Sequence, residues 1–327
     1  MDSLFSGSRV SEIGLGTWQL GMKGWGPGYE ERELIEALRG GIENGLNFID
    51  TAEIYGMGKS EELVAKAVEA FERKRYFVAT KLAGFNAHAG RVKKSLSNSL
   101  KRLKLDYVDL YQVHWEPSIY TSLPNLFREL EREADEGLIS HIGVSNFSTR
   151  SIQMANDSMK DHKIESNQIK FNVIERPGKD VLEFMRQNSI KLIAWSPLAQ
   201  GFLSGKYSAA NRPGGGVRKI NKLFSTSNLD RFGPLLSEFQ RISGERGVSA
   251  IQVVLSYEKS LGVLPIPGFR NSKQVKDIIS ANSLNLTEAE KASIESALSK
   301  TGILETSTGF YPRLLPNFIA KIGFLFV

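Results

Sequence analysis

An α/β fold, a single (β/α)8 barrel of the TIM type, is predicted for this chain of 327 residues by three observations. Short apolar, β-branched or aromatic runs alternate about eight times with longer stretches of helical period. The runs are apolar on consecutive residues, as in "VDLYQV" (Val108–Val113), which marks strands buried on both faces and therefore a parallel sheet. No break in composition divides the chain, although two doubly wound domains are the rival arrangement. Residues 1–327 are read as one barrel domain, with a helix and an apolar tail appended over residues 286–327.

In chain order, strands are predicted at Leu46–Asp50, Tyr76–Lys81, Tyr107–His114, Ile139–Val144, Ile164–Ile169, Lys191–Trp195 and Val263–Ile266. Val10–Leu15 is a further strand or a lead-in hairpin. Helical stretches lie between them at 29–45, 60–74, 90–104 and 122–137. In the first, Leu34, Ile35, Leu38 and Ile42 fall on one face. In the second, Ser60 reads as an N-cap followed by acids in the first turn. Gly45 and Gly137 stand where left-handed C-caps are expected. Residues 207–233 read as one long loop-like insertion, a length that in a compact domain signals function or disorder.

Charge and composition bound the partners without choosing one. The net charge is +6 and the sequence pI about 9.3, which suits an anionic ligand, nucleic acid or a membrane surface. Yet the densest basic run, "FERKRYF" (Phe71–Phe77), reads as a solvated helix end, and no nucleic-acid motif accompanies it. No apolar run approaches the roughly 18 residues of a membrane span, and the N-terminus lacks the features of a signal peptide. The absence of cysteine excludes disulfides and thiol nucleophiles and fits a reducing compartment. The expectation is a cytoplasmic protein with neither a membrane nor a nucleic-acid partner.

A barrel gathers its catalytic groups at the C-terminal ends of its strands. Asp50 closes "LNFID", Tyr55 follows in the loop, Lys81 closes "YFVATK" and His114 closes "YVDLYQVH". Singly, each has a plain reading: a turn former, a solvated amine, a core imidazole. Three consecutive strands delivering an acid with a tyrosine, an amine and an imidazole to one rim is a different matter. A free phenol titrates at about 10 and is a poor acid at neutral pH. A cationic Lys81 beside Tyr55 would stabilise phenolate, and Asp50 would hold Lys81 charged and oriented. Tyr55 then serves as proton donor to a carbonyl oxygen gaining negative charge, with His114 as a second hydrogen-bond partner.

The segments "NFIDTAEIYGMGKSEELV", "VATK", "DYVDLYQVHW", "GVSNFS", "NQIKFN", "WSPLAQGFLSGKY" and "PIPGFRNSKQV" occur in the order that resembles the aldo-keto reductase family, over about Val10 to Asn285. The resemblance implies a (β/α)8 barrel that binds NADPH, or less often NADH, in extended form and reduces a small-molecule aldehyde or ketone to an alcohol. Asp50, Tyr55, Lys81 and His114 match its catalytic tetrad. Ser145, Asn146 and Gln168 match residues that hydrogen-bond the nicotinamide carboxamide, and Trp195 matches the aromatic stacked on the ring. Ser196, Leu198, Gln200, Gly201 and Leu203 fall in the segment resembling the pyrophosphate-binding turn. Gly268, Phe269, Arg270, Gln274 and Asp277 align with the segment that cradles the adenosine 2′-phosphate. Arg270, always charged, makes NADPH the preferred cofactor. The match departs at Asp277–Ile278, where an acid–Asn pair is common, and at Gln274, where a basic residue often stands.

Trp18, Trp25, Trp115 and Phe147 are the candidates for an apolar substrate pocket. Arg218 or Lys219, in the 207–233 insertion, would reach phosphate if that loop folds over it. The lone "GLG" at Gly14–Gly16 lacks the rest of a Rossmann fingerprint. A metal hydrolase is disfavoured because the four histidines include no H-x-H pair and His141 starts its strand, so no metal site is expected. The alternative function is a nucleotide-binding regulatory subunit with the reductase fold, as in the potassium-channel β-subunits of that family. The oligomeric state is not legible.

Overall fold

The computed structural model describes residues 5, 7–20, 30–208, 210–213 and 221–307. Eight parallel strands form one sheet: β1 (Leu15–Gly16), β2 (Phe48–Asp50), β3 (Phe77–Leu82), β4 (Val108–Val113), β5 (Ile139–Ser145), β6 (Ile164–Lys170), β8 (Lys191–Trp195) and β9 (Leu264–Pro265). The short β7 (Glu175–Pro177) pairs instead with β10 (Leu304–Thr306) in a separate ribbon. The sheet closes on itself. Gly16 bridges Gly268 in parallel, and the amides of Gly14 and Gly16 donate to the carbonyls of Pro265 and Pro267 at 2.9 and 3.0 Å. A Cβ on Gly16 would stand 2.7 Å from the Ile266 carbonyl oxygen, so the "GLG" run serves closure of the barrel.

The strands are buried on both faces over most of their length, and the helices between them supply the outer wall. In α1 (Glu31–Glu43) the apolar stripe of Leu34, Ala37, Leu38 and Ile42 is buried against the sheet. Gly45 and Gly137 adopt φ of 89° and 76°, ending α1 and α4 (Leu123–Asp135) in the left-handed conformation expected of them. Phe5, Phe48, Phe77, Leu110, Ile193 and Leu264 fill the lower barrel. Each fully buried side chain of this size is worth about 1.5–3 kcal/mol relative to exposure.

Three local expectations are corrected. Ser60 is not an N-cap. The helix α2 (Lys59–Val68) starts from Gly58, and Ser60 is fully buried, exchanging hydrogen bonds with Thr17 and Thr51 at 2.8 and 2.9 Å. Of the acids behind it, Glu61 is fully buried between Thr80 and Arg102, at 2.6 Å from each. The basic run is only partly solvated: Arg73 pairs with Asp109 at 2.6 Å and lies over the Tyr107 ring at 4.1 Å. The insertion at 207–233 ends early, because a 3-10 turn at Lys222–Phe224 leads into α7 (Thr226–Arg246), whose N-cap is Ser225. Arg218 and Lys219 lie outside the described residues, as does the tail after residue 307. The appended helix is α10 (Glu288–Thr301), opened by a capping box between Thr287 and Glu290.

Candidate active site

Asp50 is the last residue of β2, Lys81 lies near the end of β3, and His114 is the first residue beyond β4. Tyr55 opens a 3-10 turn, Tyr55–Gly58, in which Gly56 and Met57 take φ of 57° and 56°. That tight left-handed bend returns the chain over the barrel mouth, where the Tyr55 ring is buried. Lys81 Nζ has three protons to donate, and all three find acceptors. They go to Asp50 Oδ2 at 2.6 Å, the Thr51 carbonyl at 2.8 Å and the Tyr55 hydroxyl at 3.2 Å. Lys81 is fully buried, and burial draws its pKa below the ordinary 10.5 while the charge of Asp50 opposes that shift. An ammonium in this position survives through its partners.

His114 stands edge-on to Tyr55, with ring centroids 5.5 Å apart and planes at 77°. Burial, and secondarily the charge of Lys81, hold its pKa well below 6.5, so the imidazole is neutral. Its Nδ1 is buried without a hydrogen-bond partner among the described residues. A neutral imidazole beside a buried phenol is a pair of hydrogen-bonding groups suited to one ligand oxygen.

The second oxygen of Asp50 is also held. Gln168 Nε2 donates to Asp50 Oδ1 at 2.7 Å, and Gln112 Nε2 reaches the same atom at 3.4 Å. Gln112 was not among the sequence candidates. A signal for it existed: in "VDLYQVH" the polar Gln112 shares the face of His114, two residues on, in a run otherwise apolar on that side. Two rim carboxylates were missed as well. Glu53 accepts from the Ala83 amide at 2.7 Å and from Asn86 at 3.0 Å, tying the loop of Tyr55 to the loop after Lys81. Glu116 accepts from the amide and hydroxyl of Ser148, linking the loops after β4 and β5.

The candidates for cofactor binding form a second connected group. Ser145 Oγ donates to the Gln168 carbonyl at 2.8 Å, Asn146 Nδ2 donates to Ser145 Oγ at 3.0 Å, and Trp195 Nε1 donates to Asn146 Oδ1 at 3.0 Å. The half-buried Trp195 ring is thereby tied to Asn146 at the end of β8, where Trp195 stands in register with Lys170 of β6. Beyond it Ser196, Ala199, Gln200 and Gly201 all have positive φ, a concentration of unusual backbone at a strand end. Gln200 Oε1 accepts from Asn221 at 3.1 Å. Leu198 is half-buried; Leu203 and Phe269 are fully buried, so these two have only backbone groups to offer a ligand.

At the far end, Gly268 is packed so closely that a Cβ would meet the Gln19 carboxamide at 2.1 Å. The Arg270 amide donates to Gln274 Oε1 at 2.7 Å. Asp277 Oδ1 accepts from Ser249 and Gln252 at 3.1 and 2.8 Å, at the start of α8 (Ala250–Ser260). Gln274 and Asp277 are therefore already engaged in fold-internal bonds. Of the pocket candidates, Trp115 is buried beside His114, with centroids 5.0 Å apart, and Trp18 is 42% exposed. Phe147 is set apart from them: it is fully buried and packs edge-on against Phe127 of α4, so it does not line an open pocket. Trp25 lies outside the described residues. A cavity of about 650 Å³ lies between the loops after β3 and β4, lined by His88, Ser118, Tyr120 and Asn125 among others, and none of the tetrad lines it.

The Aldo/keto reductase family model matches residues 12–299. An uncharacterized oxidoreductase of Mycobacterium tuberculosis is 35% identical over 320 residues, covering 96% of this chain and 94% of the relative. Among solved structures, the glycerol dehydrogenase of Gluconobacter oxydans superposes with a TM-score of 0.80 at 26% identity, covering 92% of this chain and 95% of that one. An aldo-keto reductase of Klebsiella pneumoniae, solved in complex with NADPH, gives a TM-score of 0.71 at 28% identity over the same shares of the two chains.

Proposed function

Since the chain belongs to the aldo/keto reductase family and is an NAD(P)H-dependent oxidoreductase, we propose that it reduces an aldehyde or ketone to an alcohol with Tyr55 as proton donor. The observation that carries this reading is the single ammonium of Lys81 shared by Asp50, Thr51 and Tyr55 in a water-poor layer at the barrel mouth. When bound, the reduced nicotinamide supplies the hydride that converts the carbonyl carbon to an alkoxide. The chain's own groups deal with the oxygen. Tyr55 gives its proton to that oxygen, and the phenolate left behind is stabilised by the Lys81 ammonium. Neutral His114 provides a second hydrogen bond that orients the oxygen. Asp50 keeps Lys81 charged despite its burial.

The residues present suit a nicotinamide. The connected set Ser145, Asn146 and Gln168 presents amide and hydroxyl groups at one rim position. The tethered indole of Trp195 offers a flat surface next to them. The positive-φ turn through Gly201 would let backbone amides approach a pyrophosphate. Arg270 favours NADPH by pairing with the 2′-phosphate. Because Gln274 and Asp277 are committed elsewhere, Arg270 carries that preference largely alone, and NADH is the second cofactor to be compared.

Tyr55→Phe keeps the ring and removes the donor. Carbonyl reduction is expected to fall by roughly 10²–10⁴, while NADPH binding followed by fluorescence stays near wild type. Activity at the wild-type level would remove Tyr55 from the reaction.

A further inference from the structure

The proton donor and the nicotinamide-side residues are separate groups in the chain, but they meet in one buried polar layer. Asp50 of β2, Gln112 of β4 and Gln168 of β6 come from alternate strands, the arrangement in which side chains share a layer inside a barrel. Below them the interior is apolar, with Phe48, Leu110 and Ile193 in place. Gln112 is fully buried, and an amide in that position costs free energy unless it is hydrogen-bonded. It bonds both neighbours, donating to Asp50 Oδ1 at 3.4 Å and accepting from Gln168 Nε2 at 3.4 Å. Room for it is made by the adjacent strand: a Cβ on Gly143 would stand 3.0 Å from Gln112 Cγ and 2.4 Å from Ser166 Oγ.

We infer that Gln112 is a positioning residue that holds Asp50 and Gln168 in one hydrogen-bonded layer and so governs how readily Tyr55 releases its proton. This rests on the proposed role of Tyr55. The two amides draw negative charge on Asp50 toward Oδ1. Without them that charge binds the Lys81 ammonium harder, leaves less of the cation for Tyr55 and disfavours phenolate. The charged groups facing this layer are Asp50 and Lys81, with Glu61 behind Lys81; His114 faces it uncharged. The same bonds give the dinucleotide a route to the donor. Both amide protons of Gln168 are given to Asp50 and Gln112. A group that donates to the Gln168 carbonyl oxygen therefore polarises the amide and alters its bond to Asp50, and Gln112 keeps that amide turned the right way.

The test is the pH profile of carbonyl reduction with saturating NADPH in Gln112→Met, which keeps length and volume, and in Gln112→Ala, which cannot clash if methionine packs badly. The alkaline limb, where the donor loses its proton, is expected to move up by about half to one pH unit. At neutral pH kcat is expected to fall about 3- to 10-fold, the size set by one buried hydrogen bond, with NADPH affinity changed less than about threefold. A limb that stays in place in a folded Gln112 variant overturns the inference, even if thermal stability drops. Measuring Tyr55→Phe beside it separates the two claims. An inactive Tyr55→Phe with an unmoved limb in Gln112→Met defeats only the role of Gln112, whereas an active Tyr55→Phe defeats the role of Tyr55 and this inference with it.

Discussion

The two ends of the barrel each hold a histidine at a strand end, and they are built differently. His141, near the start of β5, has both ring nitrogens engaged, with Ser8 at 3.3 Å and Glu165 at 2.9 Å, and it stacks on Phe77. His114, at the opposite rim, has a buried nitrogen with no partner among the described residues, and burial, with the charge of Lys81 second, depresses its pKa. The contrast separates a histidine that completes a structure from one prepared for something the chain does not supply. Buried polar groups are nearly always hydrogen-bonded; His114 Nδ1 is one of several described atoms that are not, and it lies on a ring set against Tyr55.

The comparison breaks most visibly at Lys81. Lys81→Met leaves the Asp50 carboxylate buried without its cation, so we expect a stability loss of about 3–5 kcal/mol by denaturant titration. In whatever folds, carbonyl reduction should fall by at least about 10²-fold. A variant that stays fully active would mean that the ammonium does not support Tyr55.

His114→Phe comes next. It should lower kcat about 10- to 10²-fold through loss of one hydrogen bond to the reacting oxygen, with NADPH affinity intact. It also carries a pH signature. The native imidazole resists protonation below 6.5 and the unfolded one does not, so the unfolded chain binds the extra proton as the pH falls through 6.5. Stability contributed by neutral His114 is therefore complete above that value and declines below it. Urea titrations between pH 7 and 5 should show that slope in the wild type and a shallower one in His114→Phe; equal slopes would contradict the neutral assignment.

His141→Phe should do least. It removes two bonds at the barrel floor, costing about 1–3 kcal/mol, and should leave kcat and its pH profile unchanged. A catalytic defect there would erase the distinction between the two ends.

How far the sequence carried depended on where each signal lay. Seven barrel strands and the meeting of Asp50, Lys81 and His114 at one rim were legible because an apolar run ending on a polar residue is a local pattern, and strand polarity alone puts His141 on the opposite rim. The first strand was misjudged: Val10–Leu15 contributes only Leu15 to a two-residue strand, Leu15–Gly16, too short to leave an alternating or apolar signature. Trp195 and the positive-φ turn after it were reached through the ordered motifs. Gln112 escaped because its meaning is tertiary: only a closed barrel brings β4 against Asp50 and Gln168. Ser60 was misread as a cap for the same cause, since a serine before two acids at a helix start reads as capping until the buried Thr17 and Thr51 are in view. Glu61 and Glu62 do lie in the first turn, but the burial of Glu61 against Thr80 was not legible. Phe147 was assigned to the pocket by its position after β5, and only the packing of α4 turns it inward. Arg73 was read as solvated because Asp109 and Tyr107 are more than 30 residues away in sequence.

The central claim is that the phenol of Tyr55, supported by Lys81, faces the reduced dinucleotide across one cavity. A crystal structure with NADPH bound tests it most directly. The account predicts the nicotinamide between Trp195 and the hydroxyl of Tyr55, its carboxamide on Asn146 and Gln168, and the 2′-phosphate against Arg270. A dinucleotide seated away from the mouth of the barrel, with Tyr55 and Lys81 out of reach of the nicotinamide, would contradict it.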